Sequence, residues 1–103
     1  MRQAGVLAAA GLYAFREHRS GLAEDHARAR HLGAALAEVG GAQTATNMVF
    51  FTPEGDTAAL RAHMANHGIL IGRQSPTLRL VLHRDVDDTA LETAIAAFRS
   101  FAP

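Results

Sequence analysis

The chain offers few side chains able to make or break a covalent bond, and that scarcity narrows its chemistry before any fold is considered. All ten basic residues are arginine and there is no lysine or cysteine. An enzyme that forms an imine through a side chain needs an amine, and thiolate nucleophiles, disulfides and thiolate metal sites need cysteine. His63 and His67 lie four apart on a predicted helix, as zinc ligands can, but Met64 stands where the hydrolytic zinc motif has glutamate, and no third ligand is evident. They read as two exposed histidines on a solvent face, and no metal site is assigned. Glu24-Asp25-His26 collects acids and a histidine, yet consecutive residues on a helix point in different directions, so the trio reads as a charged outer face. The glycine pairs match no phosphate-cradling loop between strand and helix.

Arg79 is different. It enters an apolar run just after a Ser75-Pro76 loop, in Thr77-Leu78-Arg79-Leu80-Val81-Leu82-His83. A planar guanidinium at the start of a strand can grip a carboxylate with two parallel hydrogen bonds. From position alone, however, an ordinary exposed strand-edge arginine is the plainer reading.

The elements that would position these residues follow from hydrophobic period and punctuation. Arg2 to about His18 reads as a long apolar helix: Ala8, Ala9, Ala10, Gly11 and Ala14 form a small-residue surface and Leu7, Leu12, Tyr13 and Phe15 supply bulk. So apolar a helix requires partners on most sides. The run is too short to span a bilayer, and it lacks the small-residue cleavage pattern of a signal peptide, so a packing helix is expected. Ser20 can cap a second helix, whose stripe is Leu22, Ala29, Leu32, Leu36 and Val39, with Glu24, Asp25, Arg28 and Arg30 outward and Gly40-Gly41 as its stop. Thr46 to Thr52 is a short apolar run and hence a buried strand. Asp56 caps a helix to about His67 with Leu60 and Met64 inward, and Gly68 ends it. Ile69-Leu70-Ile71 reads as a second strand, Gly72 to Thr77 as a polar loop, and Leu78 to His83 as a third strand. Asp87 or Asp88 caps a last helix carrying Leu91, Ile95 and Phe98 inward.

The expected fold class is therefore α+β: helices on one face of a small three-stranded mixed sheet, preceded by the long apolar helix. At 103 residues this is one domain, residues 1–103, with 1–19 as a linking and packing helix. With 49% apolar residues and ten acids against ten arginines, disorder is disfavoured. So is nucleic-acid binding, because no basic excess is present to displace counterions from a phosphate backbone.

Four blocks carry a resemblance. Met1-Arg2-Gln3-Ala4-Gly5-Val6-Leu7-Ala8-Ala9-Ala10-Gly11-Leu12-Tyr13-Ala14, Leu22-Ala23-Glu24-Asp25-His26-Ala27-Arg28-Ala29, Thr46-Asn47-Met48-Val49-Phe50-Phe51 and Arg79-Leu80-Val81-Leu82-His83-Arg84-Asp85-Val86 resemble, in order, the C-terminal part of the low-specificity L-threonine aldolases. Those are fold-type I pyridoxal phosphate enzymes that split threonine and related β-hydroxy amino acids into glycine and an aldehyde. The resemblance implies the small domain of that fold, with Arg79 as the arginine that binds the substrate α-carboxylate. It also implies Arg2 near the cofactor phosphate, in a neighbouring subunit's site of a cytoplasmic homo-oligomer. Leu82 departs from the family's usual threonine, and Arg84 from its leucine. The family's cofactor lysine and ring-binding residues lie in the large domain, upstream of these blocks. The chain then reads as a fragment that contributes the substrate arginine, contains no catalytic residue of its own and is inactive alone. A free-standing small-molecule or regulatory domain and an oligomerisation module are the alternatives.

Overall fold

The computed structural model describes residues 2–73 and 75–103; Met1, in the first family block, and Gln74, in the polar loop, lie outside the described residues. The elements are α1 (Gly5–Glu17), a 3-10 turn (Arg19–Gly21), α2 (Leu22–Leu36), β1 (Gly40–Ala45), β2 (Met48–Pro53), α3 (Thr57–Asn66), β3 (Leu78–Val81) and α4 (Asp88–Ser100). The class is α+β, as expected. The sheet has three strands in the order β1-β2-β3, and both pairings are antiparallel, so the expectation of a mixed sheet is corrected.

The difference lies in which segments pair. Gly40-Gly41, read as a helix stop, instead begin β1, and Thr46-Asn47, read as the start of a strand, form the two-residue turn that joins β1 to β2. Thr46 takes a positive φ of 57° there, a conformation that two-residue hairpin loops commonly require. Ile69-Leu70-Ile71 is not a strand. The Gly68 and Ile69 amides close the end of α3 on the Ala65 and Met64 carbonyls, with Gly68 at φ +74°. That is the left-handed exit glycine makes easy. The segment then crosses to β3 with Leu70 92% exposed.

One face of the sheet carries the core. Val49 and Phe51 of β2 and Leu78 of β3 point to it, since alternate strand residues share a face. Ala29, Leu32 and Leu36 of α2, Leu60 and Met64 of α3, and Leu91, Ile95 and Phe98 of α4 meet them there. Phe51 and Phe98 pack edge to face at 5.6 Å between ring centres, a preferred aromatic geometry. Two of the helices start on the expected carboxylates: Asp56 accepts from the Ala58 amide at 2.9 Å and Asp87 from the Ala90 amide at 2.8 Å. The second helix has no side-chain cap, and Gly21, not Ser20, precedes it. α2 sits close to β1 because Gly33 faces Thr44: a Cβ there would fall 2.0 Å from Thr44 Oγ1.

The first helix departs from expectation. It spans thirteen residues with no side-chain N-cap and buries none of them, so a long packed apolar helix is not what forms. Val6, Leu7, Tyr13 and Phe15 are exposed.

Candidate functional site

The opposite face of the sheet is bare. Register places Gln43 opposite Phe50, and Phe50 opposite Arg79, in one row across the three strands. Beside that row Gly41 pairs with Thr52, whose hydroxyl lies 3.0 Å from that of Thr77. Gly41, Ala42, Gln43, Phe50, Thr52 and Thr77 line a shallow hollow of about 390 Å³. Because Leu78 and Leu80 turn toward the core, Arg79 must turn away from it, and it is exposed. Among the described residues no carboxylate pairs with it. A guanidinium held by a paired strand, beside the exposed Phe50 ring and without a countercharge among the described residues, can take a ligand carboxylate through two parallel hydrogen bonds.

Arg2, the other residue singled out, is exposed in the irregular segment ahead of α1. It forms no ion pair among the described residues, and the structure does not assemble it with Arg79 into one site. His63 and His67 form no metal centre: no group of three potential ligands occurs among the described residues. Nor are both exposed. His63 is half-buried and ties α3 to α4, its Nε2 lying 2.9 Å from the Ala97 carbonyl and 3.0 Å from Ser100 Oγ. His67 Nδ1 approaches the His63 carbonyl at 2.9 Å.

The Glu24-Asp25-His26 reading needs a larger correction. Glu24 is exposed, but Asp25 is only 7% exposed, the one buried charged residue among the described residues. Its nearest cation is Arg28, with Nη1 3.7 Å away, and Arg28 spends its best bond on Asp88, 2.7 Å from Nε. That hydrogen bond, ahead of smaller contributions from neighbouring carboxylates, raises the Arg28 pKa above its ordinary value. The signal for Asp25 was present in the spacing. Leu22, Asp25, Ala29, Leu32 and Leu36 follow helical steps of three and four, so Asp25 sits on the apolar stripe itself.

The family model for beta-eliminating lyases matches residues 1–55, just over half of the chain. The chain belongs to the beta-eliminating lyase family. It is 40% identical over 104 residues to the low specificity L-threonine aldolase of Escherichia coli (strain K12), covering 98% of this chain and 31% of that protein. It is 32% identical over 109 residues to the low-specificity L-threonine aldolase 1 of Arabidopsis thaliana, covering 96% of this chain and 30% of the relative. The resemblance read from the four blocks is thereby borne out. The chain spans about a third of the length of these relatives, and among its described residues no helix is long and apolar enough to cross a membrane.

Proposed function

We propose that this chain is the C-terminal small domain of a threonine-aldolase-type lyase, a single unit over residues 1–103, and that Arg79 holds the α-carboxylate of its amino acid substrate. The observation that carries the reading is the position of Arg79: outward on the bare sheet face, beside Phe50, without a carboxylate partner among the described residues. Arginine presents a planar fork that matches a carboxylate. Pairing at both oxygens fixes the orientation of the α-carbon as well as the affinity.

Pyridoxal phosphate, implied by the family, does not fit these residues as a covalently held group. A chain with ten arginines and no lysine has no side-chain amine to form the cofactor's imine. A carboxylate grip positions a substrate but breaks no bond, so the chain alone is expected to be inactive toward threonine. In the assembled enzyme, Arg2 would approach the cofactor phosphate from a neighbouring subunit, and the enzyme would act in the cytoplasm.

The reading also assigns a task to α1. Val6 is 83% exposed and Phe15 62% exposed, so this apolar helix supports an interface with the large domain that the relatives' greater length leaves room for, or with a neighbouring subunit. The deciding experiment is a chimera in which this chain replaces the matching third of the Escherichia coli relative. Threonine cleavage that falls on Arg79→Lys, with cofactor binding unchanged, supports the proposal.

A further inference from the structure

On the core side of the sheet, the end of β2, the first turns of α3 and the end of α4 enclose a hollow of about 190 Å³. Phe51, Leu60 and Phe98, all buried, line it together with Val39, Phe101 and Pro103. Glu54, which is exposed, is the only wall residue with a charged side chain. Residues 101–103 close one side. The Phe101 amide donates to the Phe98 carbonyl at 3.3 Å, and the Phe101 ring lies 5.5 Å from that of His63. Pro103 then reaches the turn before α3, where a Cβ on Gly55 would stand 2.8 Å from its own Cβ. Gly55 has φ +87°, so a bare glycine both makes this turn and leaves room for Pro103. The buried wall has no polar atom to satisfy: among the described residues Arg61 Nε is the buried side-chain nitrogen without a hydrogen bond, and Arg61 does not line the hollow. A charged guest would lose its water there without replacement. An apolar cavity of about 150 Å³ with similar walls stays dry and takes up benzene, so this one has room for an aromatic ring.

We propose that this hollow binds a small uncharged molecule with one aromatic ring, and that residues 101–103 form the outer wall of the site. Phe51 and Phe98 already meet edge to face at 5.6 Å, and a guest ring packed against them and Phe101 extends that preferred geometry. Its affinity comes from apolar burial and ring contacts alone. The site lies on the core face of the sheet, whereas Arg79 is on the other face, so it does not depend on the role proposed for Arg79.

The test is an NMR titration of the 103-residue chain, observed at its methyl and amide groups, with toluene, benzoate and benzylammonium. The last two keep the ring and add a charge of either sign. Toluene is expected to shift the Val39 and Leu60 methyl signals saturably, with a Kd of about 0.1–1 mM for so few atoms. Benzoate and benzylammonium should each bind at least about tenfold more weakly, because the buried wall offers neither charge a partner. Val39→Phe, which sets a ring in the space, should abolish the toluene shift at Leu60. Deleting residues 101–103 removes Phe101 and Pro103 from the wall and should weaken toluene by about tenfold. If one of these variants loses its folded spectrum, the other decides. The proposal is overturned by the absence of saturation up to the solubility limit of toluene, or by a charged analogue that binds as well as toluene. Normal toluene binding in a folded Val39→Phe or in the folded shortened chain overturns it too. A saturable response confined to Phe50 and Arg79 would also overturn it and would place the ring on the outer sheet face instead.

Discussion

Replacing Gly40 and Gly41 separately by alanine distinguishes two adjacent glycines with opposite roles. The row that presents Arg79 depends on the β1–β2 register, and Gly40 begins that pairing opposite Pro53. A Cβ at Gly40 would stand 2.7 Å from the Thr52 carbonyl oxygen and 2.8 Å from Cε2 of Phe51, well inside contact distance. Neither neighbour can yield easily: the oxygen is backbone, and Phe51 is buried against Phe98. Overpacking of this kind costs about 1–3 kcal/mol. The lost freedom of glycine in the unfolded chain returns about 0.4–1 kcal/mol. The net expectation for Gly40→Ala is a loss of about 1–2 kcal/mol, or a melting temperature lower by roughly 4–8 °C per kcal/mol for a domain of this size. At Gly41 the nearest atoms to an added Cβ are 3.8 Å away, an ordinary contact, so Gly41→Ala should be neutral or stabilising by up to about 1 kcal/mol. Thermal and urea unfolding followed by circular dichroism measures both. If the two variants agree within about 0.5 kcal/mol, the close approach of β1 to β2 at Gly40 is not what shapes this edge of the sheet.

Three further outcomes are expected. Asp56→Ala and Asp87→Ala should each cost about 1 kcal/mol in urea unfolding, because each carboxylate accepts from a helix-start amide; unchanged midpoints would deny them that role. Deleting residues 1–17 should leave the unfolding midpoint within about 0.5 kcal/mol, since α1 buries nothing, while abolishing the self-association that light scattering should detect in the full chain. A clean monomer at high concentration would contradict the second half. Borohydride reduction in the presence of pyridoxal phosphate should leave no adduct on any internal residue, as there is no lysine; mass spectrometry locating one would refute the statement.

The sequence made most of the core legible, because Ala29, Leu32 and Leu36, Leu60 and Met64, and Leu91, Ile95 and Phe98 recur at helical spacing and all are buried. The two helix-capping aspartates were legible for the same local reason. What escaped was β1, where Gly40-Gly41-Ala42-Gln43-Thr44-Ala45 has neither bulk nor alternation. Its strand character comes from the partner it pairs with, and its Gly40 is what lets β2 come close. The run Ile69-Leu70-Ile71 misled in the opposite direction, because an apolar run between glycines can cap a helix and cover a core without pairing. At the sites, position alone left Arg79 an ordinary strand-edge arginine and its proposed role came from the family resemblance, whereas the burial of Asp25 was missed by weighing the acids around it above the apolar stripe it shares.

Whether Arg79 grips a carboxylate is measured most directly in the Escherichia coli chimera. Lysine at this position keeps the charge but loses the fork and, with it, one of two charge-assisted hydrogen bonds. The loss should cost about 1.5–3 kcal/mol, or about tenfold to a hundredfold in kcat/KM for threonine, with Arg79→Ala costing more. The cofactor spectrum should be unchanged in both, because no residue of this chain can bond the cofactor through a side-chain amine. Near-normal kcat/KM in Arg79→Ala, in a chimera that folds and binds pyridoxal phosphate, would make Arg79 an ordinary arginine on an exposed strand and contradict the proposed function.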